Sequence, residues 1–329
     1  MMKIKDLSPE LYASFVAFNK AIYPERKNID ELLKFRVLNS PHKKDMELNV
    51  VLLSDDEDVA GQALYYSTSY YHEGKTEQSL WGYDLIVKPK LRKMNYGLDL
   101  IEYISENRTQ IAFASGVGDM ALKIQKAIAR AKVIGFLRKS IKIVNILNFP
   151  FAINRQVSLK SYPQKINGFV KVADPTRLEN LTKPYNDELL EFCRDREFLT
   201  WRFFEAPYEY AFYKSVDNDN YFVVRTIVKN HITAVVLVDY RCDLKQSQEI
   251  TEIINAAVKL TNRLFLPVLI TASSTIYVDT VLQEKSFKVI GRDRVMTIYQ
   301  KGVKAYQQKI AERKFVFTTL ADSDGEILW

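Results

Sequence analysis

The feature that most constrains this chain is that it repeats itself in order. Glu31-Leu32-Leu33-Lys34-Phe35-Arg36-Val37-Leu38-Asn39-Ser40-Pro41 returns half a chain later as Glu197-Phe198-Leu199-Thr200-Trp201-Arg202-Phe203-Phe204-Glu205-Ala206-Pro207. Both read Glu-x-Leu-x-aromatic-Arg with a closing Pro. A second pair follows, because Lys132-Val133-Ile134-Gly135 recurs identically as Lys288-Val289-Ile290-Gly291. Two matched anchors in the same order imply two copies of one fold. The expected division is residues 1–155 and 156–329, with a crossover near Pro150 and Pro163. The interval from Pro207 to Lys288 is shorter than that from Pro41 to Lys132, so the second copy has lost a segment between its anchors.

Local signals fill in each copy. Ser8 before Pro9, and Asn28 before Glu31, mark helix starts. Strands are expected over Asn49–Leu53, Gly61–Tyr71 and Ser79–Val87, with a hairpin turn at His72-Glu73-Gly74-Lys75. A helix with Leu98, Ile101 and Ile104 on one face follows, then a strand Gln110–Ser115 and a helix Asp119–Lys132. The second half repeats the scheme with strands Tyr221–Val228 and His231–Tyr240, a helix Ser247–Arg263 and a strand Leu264–Thr271. Final strands are expected at Ser140–Leu147 and Arg294–Tyr299. This order is α+β: a mixed, mostly antiparallel sheet flanked by helices in each copy.

Composition excludes several classes. Only 11 Gly and 10 Pro in 329 residues, with 47% apolar content, describe a chain that buries a core. The longest strongly apolar stretch, Leu264–Ala272, is far short of a bilayer span, so no membrane insertion is expected. The first residues lack a secretory h-region, and the chain is expected in the cytosol. Two cysteines, Cys193 and Cys242, and three histidines, His42, His72 and His231, show no metal-ligand spacing, so no metal is expected. Asp322-Ser323-Asp324-Gly325-Glu326 is too short for a calcium loop. A net charge of +7 without any basic block favours a phosphate-rich small ligand over nucleic acid.

The informative segment runs from Asp84 through Leu85, Ile86 and Val87 to Pro89, Arg92, Lys93, Met94, Asn95, Tyr96 and Gly97. It is an apolar strand followed by a short basic turn that opens directly into an amphipathic helix. Unpaired backbone N–H groups and the positive end of the helix dipole make such a turn an anion cradle. Gly97 allows close backbone approach, and Asn95 tolerates a left-handed conformation.

Here the sequence resembles the GCN5-related N-acetyltransferase superfamily, whose acyl-CoA loop reads V-x-P-x-x-R-x-x-G-x-G/A. This chain has Val87, Pro89, Arg92, Asn95 in place of the first Gly, and Gly97. The resemblance implies that acyl-CoA is the co-substrate, with the backbone from Arg92 to Gly97 on its pyrophosphate. It also implies that the strand Leu85–Val87 pairs with the pantetheine. The second copy, Asp239-Tyr240-Arg241-Cys242-Asp243-Leu244-Lys245-Gln246-Ser247, lacks this loop. Residues 156–329 are therefore expected to form an acceptor platform or a dimerisation domain.

Acyl transfer to an amine needs a proton acceptor, and Asp84 on the strand flanking the thioester is the candidate. Backbone N–H groups near Leu85 and Ile86 are candidates to polarise the carbonyl. The helix Asp119–Lys132 holds no Tyr to protonate the departing thiolate, which leaves solvent as one alternative. Among the aromatics of the hairpin, Trp81, Tyr83 and His72 are the candidate acceptor contacts. The chain resembles bacterial sugar N-acyltransferases of surface-glycan (O-antigen, lipopolysaccharide) pathways. That resemblance implies a nucleotide-linked amino sugar of the dTDP-amino-dideoxyhexose type, an acetyl or 3-hydroxybutanoyl donor, and a possible homodimer. The alternatives are a Fem-type aminoacyl transferase using aminoacyl-tRNA, and a non-catalytic binding module on a degenerate scaffold.

Overall fold

The computed structural model describes residues 2–26, 28–41, 50–55, 58–108, 110–178, 186, 188–299 and 315–322. His42, Asn49 and the stretch Ser323 to Glu326 lie outside them. In chain order the elements begin with β1 (Lys3–Asp6), α1 (Tyr12–Ile22), α2 (Ile29–Leu33), β2 (Val50–Ser54), β3 (Val59–His72) and β4 (Lys75–Val87). Next come α3 (Tyr96–Asn107), β5 (Ile111–Ser115), α4 (Asp119–Ile128), β6 (Lys132–Ile143), β7 (Lys165–Ile166), β8 (Phe169–Val172) and β9 (Leu190–Phe192). The second half continues with α5 (Arg196–Leu199), β10 (Ala211–Ser215), β11 (Tyr221–Lys229), β12 (Ile232–Arg241) and α6 (Ser247–Arg263). It ends with β13 (Val268–Ser273), α7 (Ile276–Glu284), β14 (Lys288–Val289), β15 (Arg294–Tyr299) and β16 (Val316–Phe317).

The chain forms two compact units that are interleaved rather than divided at one point near residue 155. The first comprises the described residues of Met1–Ser69, Glu77–Ile134 and Val295–Ala311, and the second those of Tyr70–Thr76, Gly135–Arg294 and Glu312–Trp329. In the first unit the strand order is β1-β2-β3-β4-β5-β15, with β4 and β5 parallel and β15 antiparallel to β5. In the second it is β6-β13-β12-β11-β10-β8-β7, with β12 and β13 parallel and β6 antiparallel to β13. Thus β15 takes in the first unit the place that β6 takes in the second. The first half donates β6, and the second half β15, to the other half's sheet, an exchange of strands at equivalent places. The identical Lys-Val-Ile-Gly segments do not fold alike: the first lies inside β6, whereas Lys288–Val289 forms β14, paired with β6, and a left-handed Gly291 (φ 68°) precedes β15.

The repeated motif folds identically in both copies. Each is a short α-helix that continues as a π-helical turn, Lys34–Leu38 after α2 and Thr200–Phe204 after α5. Such turns concentrate near functional sites. In both, the aromatic residue and the Arg are buried: Phe35 and Arg36, Trp201 and Arg202. The first unit's core is built where the apolar stripe of α3 (Leu100, Ile101, Ile104) packs on Tyr65, Leu80, Ala112 and Tyr299 of the sheet. The second unit's core packs Ile250, Ile253, Ile254, Ala257 and Leu260 of α6 on the sheet.

Among the boundaries that differ from the sequence reading, three have a plain local cause. β6 starts at Lys132 rather than Ser140, because the Val133-Ile134 leader is already extended and Ile134 and Leu137 are buried. α4 stops at Ile128 instead of Lys132. Arg130 adopts a left-handed φ of 52°, and the Ala131 N–H donates to the Gln125 carbonyl, which closes the helix. β13 begins at Val268 rather than Leu264, since Phe265 is left-handed (φ 54°) and Pro267 lacks an N–H for the ladder.

Candidate functional site

The turn that leaves β4 is built as an anion cradle needs. Residues Pro89–Met94 form a single 3-10 stretch, Asn95 adopts φ 61°, and α3 starts at Tyr96. Arg92, Lys93, Met94 and Asn95 are exposed, while Tyr96 packs against the core. The Arg92 Nε donates to the Val87 carbonyl at 3.0 Å and ties the turn to the strand end. Lys88 pairs with Asp58 at 2.9 Å. A Cβ at Gly97 would meet only the Ile124 Cδ1, at 3.7 Å. Nothing inside the fold requires a glycine at that position, so the space over it is available to a ligand.

Just before this turn the sheet opens. The parallel pairing of β4 with β5 runs Ser79↔Ile111 to Gly82↔Ala114 and ends there, while β4 continues to Val87. The two strands form a wedge. Asp84 lies at its mouth with a left-handed φ of 47°, a rare conformation for a non-glycine residue that is tolerated best by Asp and Asn. It is the kind of local irregularity that re-aims one side chain out of a regular strand.

The Asp84 carboxylate is held from the helical layer. Tyr23 donates its phenol to Oδ1 at 3.1 Å, and the Arg26 Nη1 donates to Oδ2 at 3.2 Å. The Arg36 guanidinium stands 3.7 Å from Oδ2. The Arg26, Arg36 and Asp84 side chains keep only 5–11% of their surface exposed. An ionised carboxylate offers about four acceptor positions, so these partners leave room at Oδ1 for one further donor. The repeated Arg of the first copy is therefore an arm of the site. Its position on a π-helical turn is what aims it there.

The wedge encloses a pocket of about 180 Å³. Tyr23, Tyr83, Asp84 and Leu85 line it on the β4 side, and Ser115–Gly118 on the loop into α4. Gly82, Tyr65 and Tyr299 lie deeper, with Ala114 and Gln125. The Tyr299 phenol donates to that of Tyr65 at 3.1 Å. Burial pushes the Tyr65 phenol up to about 12 and also raises that of Tyr299 well above its ordinary value, so both hydroxyls keep their protons at neutral pH. The Ser115 Oγ is buried without a hydrogen-bond partner among the described residues.

Of the residues singled out from sequence, Asp84, Leu85 and Tyr83 come together in this pocket. Val87 and the turn residues Arg92–Gly97 follow directly along the chain, with Ile86 half-buried between. Trp81 is a core residue, 2% exposed and stacked on Phe113 at 6.5 Å, and it does not line the pocket. His72 belongs to the second unit, where it meets Phe315 edge-on at 5.3 Å. Sequence reasoning missed Tyr23, Arg26, Tyr65, Ser115, Gln125 and Tyr299. Arg36 was visible as part of the repeat.

The second unit holds the counterpart of Asp84 in a sealed form. Asp239 on β12 accepts from the Arg194 Nε at 3.0 Å, the Tyr221 phenol at 2.9 Å and the Thr319 hydroxyl at 2.5 Å. Asp322 adds an ion pair to Arg194 at 2.5 Å, and Glu191 one to Arg241 at 3.0 Å. All of these side chains are buried. β12 runs into α6 through Cys242–Gln246 alone, without the longer basic turn of the first copy. Among the described residues no group of three or more His, Cys, Asp or Glu is arranged to hold a metal. No helix among them is long and apolar enough to cross a membrane.

No protein-family model and no curated protein matches the sequence. Solved structures do match over most of the chain. A GCN5-related N-acetyltransferase from Anabaena variabilis ATCC 29413 aligns with 91% of this chain and 72% of its own, at 13% identity and a TM-score of 0.62. The N-myristoyltransferase of Saccharomyces cerevisiae, solved with bound myristoyl-CoA and inhibitors, covers 91% of this chain and 80% of its own, at 13% identity and a TM-score of 0.60. A protein of Enterococcus faecalis V583, described as a probable N-acyltransferase, gives a TM-score of 0.58 at 9% identity, over 94% of this chain and 75% of its own. At such identities the likeness is one of fold. Over 91% of its length the chain has the α+β fold of the GCN5-related N-acetyltransferases.

Proposed function

We propose that the chain is an acyl-CoA-dependent N-acyltransferase whose first unit carries the reaction. The observation that carries this reading is a juxtaposition. β4 parts from β5 beyond Gly82↔Ala114 and then runs into the exposed basic turn Lys88–Gly97. A pantetheine arm laid along Leu85–Val87 would place its thioester beside Asp84 and its pyrophosphate on the N-terminus of α3. Fold neighbours that include N-acetyltransferases and a myristoyl-CoA complex support the same reading.

In this mechanism the acceptor amine attacks the thioester carbonyl carbon. Its surplus proton passes to Asp84 Oδ1, the C–S bond breaks, and the thiolate leaves to be protonated by solvent. Backbone N–H groups at Leu85 and Ile86 polarise the carbonyl. Tyr23, Arg26 and Arg36 fix the direction of the carboxylate, which is a positioning role. For the acceptor we retain a nucleotide-linked amino sugar of the dTDP-amino-dideoxyhexose type, in surface-glycan synthesis. Its diphosphate suits a chain of net charge +7, and Tyr83 at the pocket rim is the remaining aromatic contact. The second unit, with its sealed Asp239, is read as the acceptor platform or dimerisation domain. Exposed Ile146, Leu147, Phe151, Ile153 and Phe265 would serve a homodimer, which sedimentation of the wild type against Leu147→Asp/Phe151→Asp would reveal.

The test is thiol release from a panel of acyl-CoAs in the presence of dTDP-amino sugars. Turnover of any pair above the acceptor-free rate supports the reading. Absence of both turnover and CoA binding refutes it.

A further inference from the structure

The deep end of the wedge is closed by two tyrosines and lined with hydroxyls, and this bears on which acyl group it takes. The closure is set by Gly82, the last β4 residue paired with β5. A Cβ there would lie 2.9 Å from the Tyr65 Cε1 and 3.2 Å from the Tyr299 hydroxyl, so the two rings already press against the glycine. Tyr65 comes from β3, whereas Tyr299 comes from β15, the strand donated by the other half of the chain. Both rings are buried, in contact with the helix-covered core. An acyl chain entering past Asp84 toward the apex therefore meets a wall.

Volume and polarity narrow the occupant further. An engineered cavity of about 150 Å³ accepts benzene, so 180 Å³ holds only about seven non-hydrogen atoms. A fourteen-carbon chain such as the one in the yeast neighbour's ligand has no room. The pocket is also unsuited to a plain hydrocarbon end. The Tyr65 hydroxyl accepts from Tyr299 and keeps its own proton to donate, and burial holds that proton in place. The Ser115 hydroxyl is buried on the same pocket without a partner among the described residues. Buried hydroxyls facing only methylene groups forfeit their hydrogen bonds.

We propose that the Tyr65–Tyr299 pair is the acyl-length stop of this site and that, with Ser115, it selects a short acyl group bearing an oxygen near its end, of 3-hydroxybutanoyl size. The inference rests on the acyl-CoA reading and deepens it. Sulfur, four carbons and two oxygens fill the available volume. A distal hydroxyl accepts from Tyr65 and donates to Ser115.

The test reads binding, so it needs no acceptor. Acetyl-, butanoyl-, 3-hydroxybutanoyl-, octanoyl- and free CoA are titrated calorimetrically into the wild type, Tyr299→Phe, Tyr65→Phe and Tyr299→Ala. The wild type should bind 3-hydroxybutanoyl-CoA roughly tenfold or more tighter than butanoyl-CoA, as expected where a site is built to bond a hydroxyl. Octanoyl-CoA should bind no better than free CoA. Tyr65→Phe should erase the hydroxyl preference without admitting octanoyl, and Tyr299→Ala should admit octanoyl. Tyr299→Phe removes one hydroxyl at nearly constant volume and supplies a folded control if the Ala variant is unstable, with the hydroxyl preference reduced and the length limit kept. Equal affinity of the wild type for butanoyl and 3-hydroxybutanoyl groups, or tight binding of octanoyl-CoA, overturns the inference while leaving the acyltransferase reading intact. Failure of the wild type to bind even free CoA removes both.

Discussion

Replacing Asp84 by Asn separates the chemistry of the site from its architecture. Asn tolerates the left-handed φ of 47° almost as Asp does, so the backbone of β4 is spared. What is lost is the negative charge that faces Arg26 at 3.2 Å and Arg36 at 3.7 Å. Removing one partner from a fully buried pair typically costs about 3–5 kcal/mol. Asp84 retains 10% exposure on a pocket and the amide oxygen still accepts from Tyr23, so about 2–3 kcal/mol is the better figure here. For a chain of this size that lowers Tm by roughly 3–4 °C. If Asp84 also receives the amine proton, kcat falls by roughly 10²- to 10⁴-fold, and the residual rate climbs as pH rises through the amine pKa. Urea unfolding and steady-state turnover on the same preparation measure both effects. In a double-mutant cycle with Arg26→Gln, the stability coupling should be about 1–2 kcal/mol. An Asn variant that loses stability but keeps its wild-type kcat across the pH range would refute the base assignment. Asp84 would then be an anchor for the arginines alone.

Three further outcomes are expected. Gly97→Ala adds a Cβ that meets only the Ile124 Cδ1 at 3.7 Å, so the helix should gain about 0.5–1 kcal/mol in urea unfolding while CoA affinity drops; unchanged affinity contradicts the backbone-approach argument. Arg92→Ala/Lys93→Ala should weaken CoA binding and flatten its salt dependence in calorimetry, because both exposed cations flank the proposed pyrophosphate site; an unaltered salt slope speaks against that placement. The third outcome concerns Asp239, where burial works to raise the carboxyl pKa but the guanidiniums of Arg194 and Arg241 outweigh it and hold the group below the ordinary carboxylate range. A depressed folded-state pKa stabilises fully above the unfolded value of about 3.9 and is lost as pH falls through the folded one. The gap in urea midpoint between wild type and Asp239→Asn should therefore be constant near neutrality and narrow below about pH 4, and a gap that persists to lower pH contradicts it.

Much of this architecture was legible because its signals are local. The α6 span, the β4–α3 turn and the left-handed Asn95 each depend on residues within one or two turns of one another. The repeat of Glu31–Pro41 at Glu197–Pro207 announced two like copies because each must bury the same aromatic and Arg. The strand exchange was not legible. Lys-Val-Ile-Gly stands at the start of β6 and again shortly before β15, and nothing in those four residues states which sheet each strand will join. The pocket was half legible for the same reason. Asp84 and Leu85 sit on the motif-bearing strand, but Tyr65 and Tyr299 lie 234 positions apart in the chain and meet only through that exchange. Trp81 misled because an aromatic on a strand shows its type and not its face. Neighbouring Tyr83 has the same parity, yet the break at Asp84 leaves it at the pocket, whereas Trp81 still stacks within the paired region.

The central claim is that one continuous stretch, from Tyr83 through the basic turn to the start of α3, receives acyl-CoA. Amide hydrogen exchange of the wild-type protein, with and without saturating CoA, tests it most directly. The account predicts slowed exchange over Leu85–Val87, Arg92–Leu98 and the Ser115–Gly118 loop, with no matching change at the Cys242–Gln246 connection of the second unit. Protection centred on that second connection, or no protection anywhere at millimolar CoA, would contradict it.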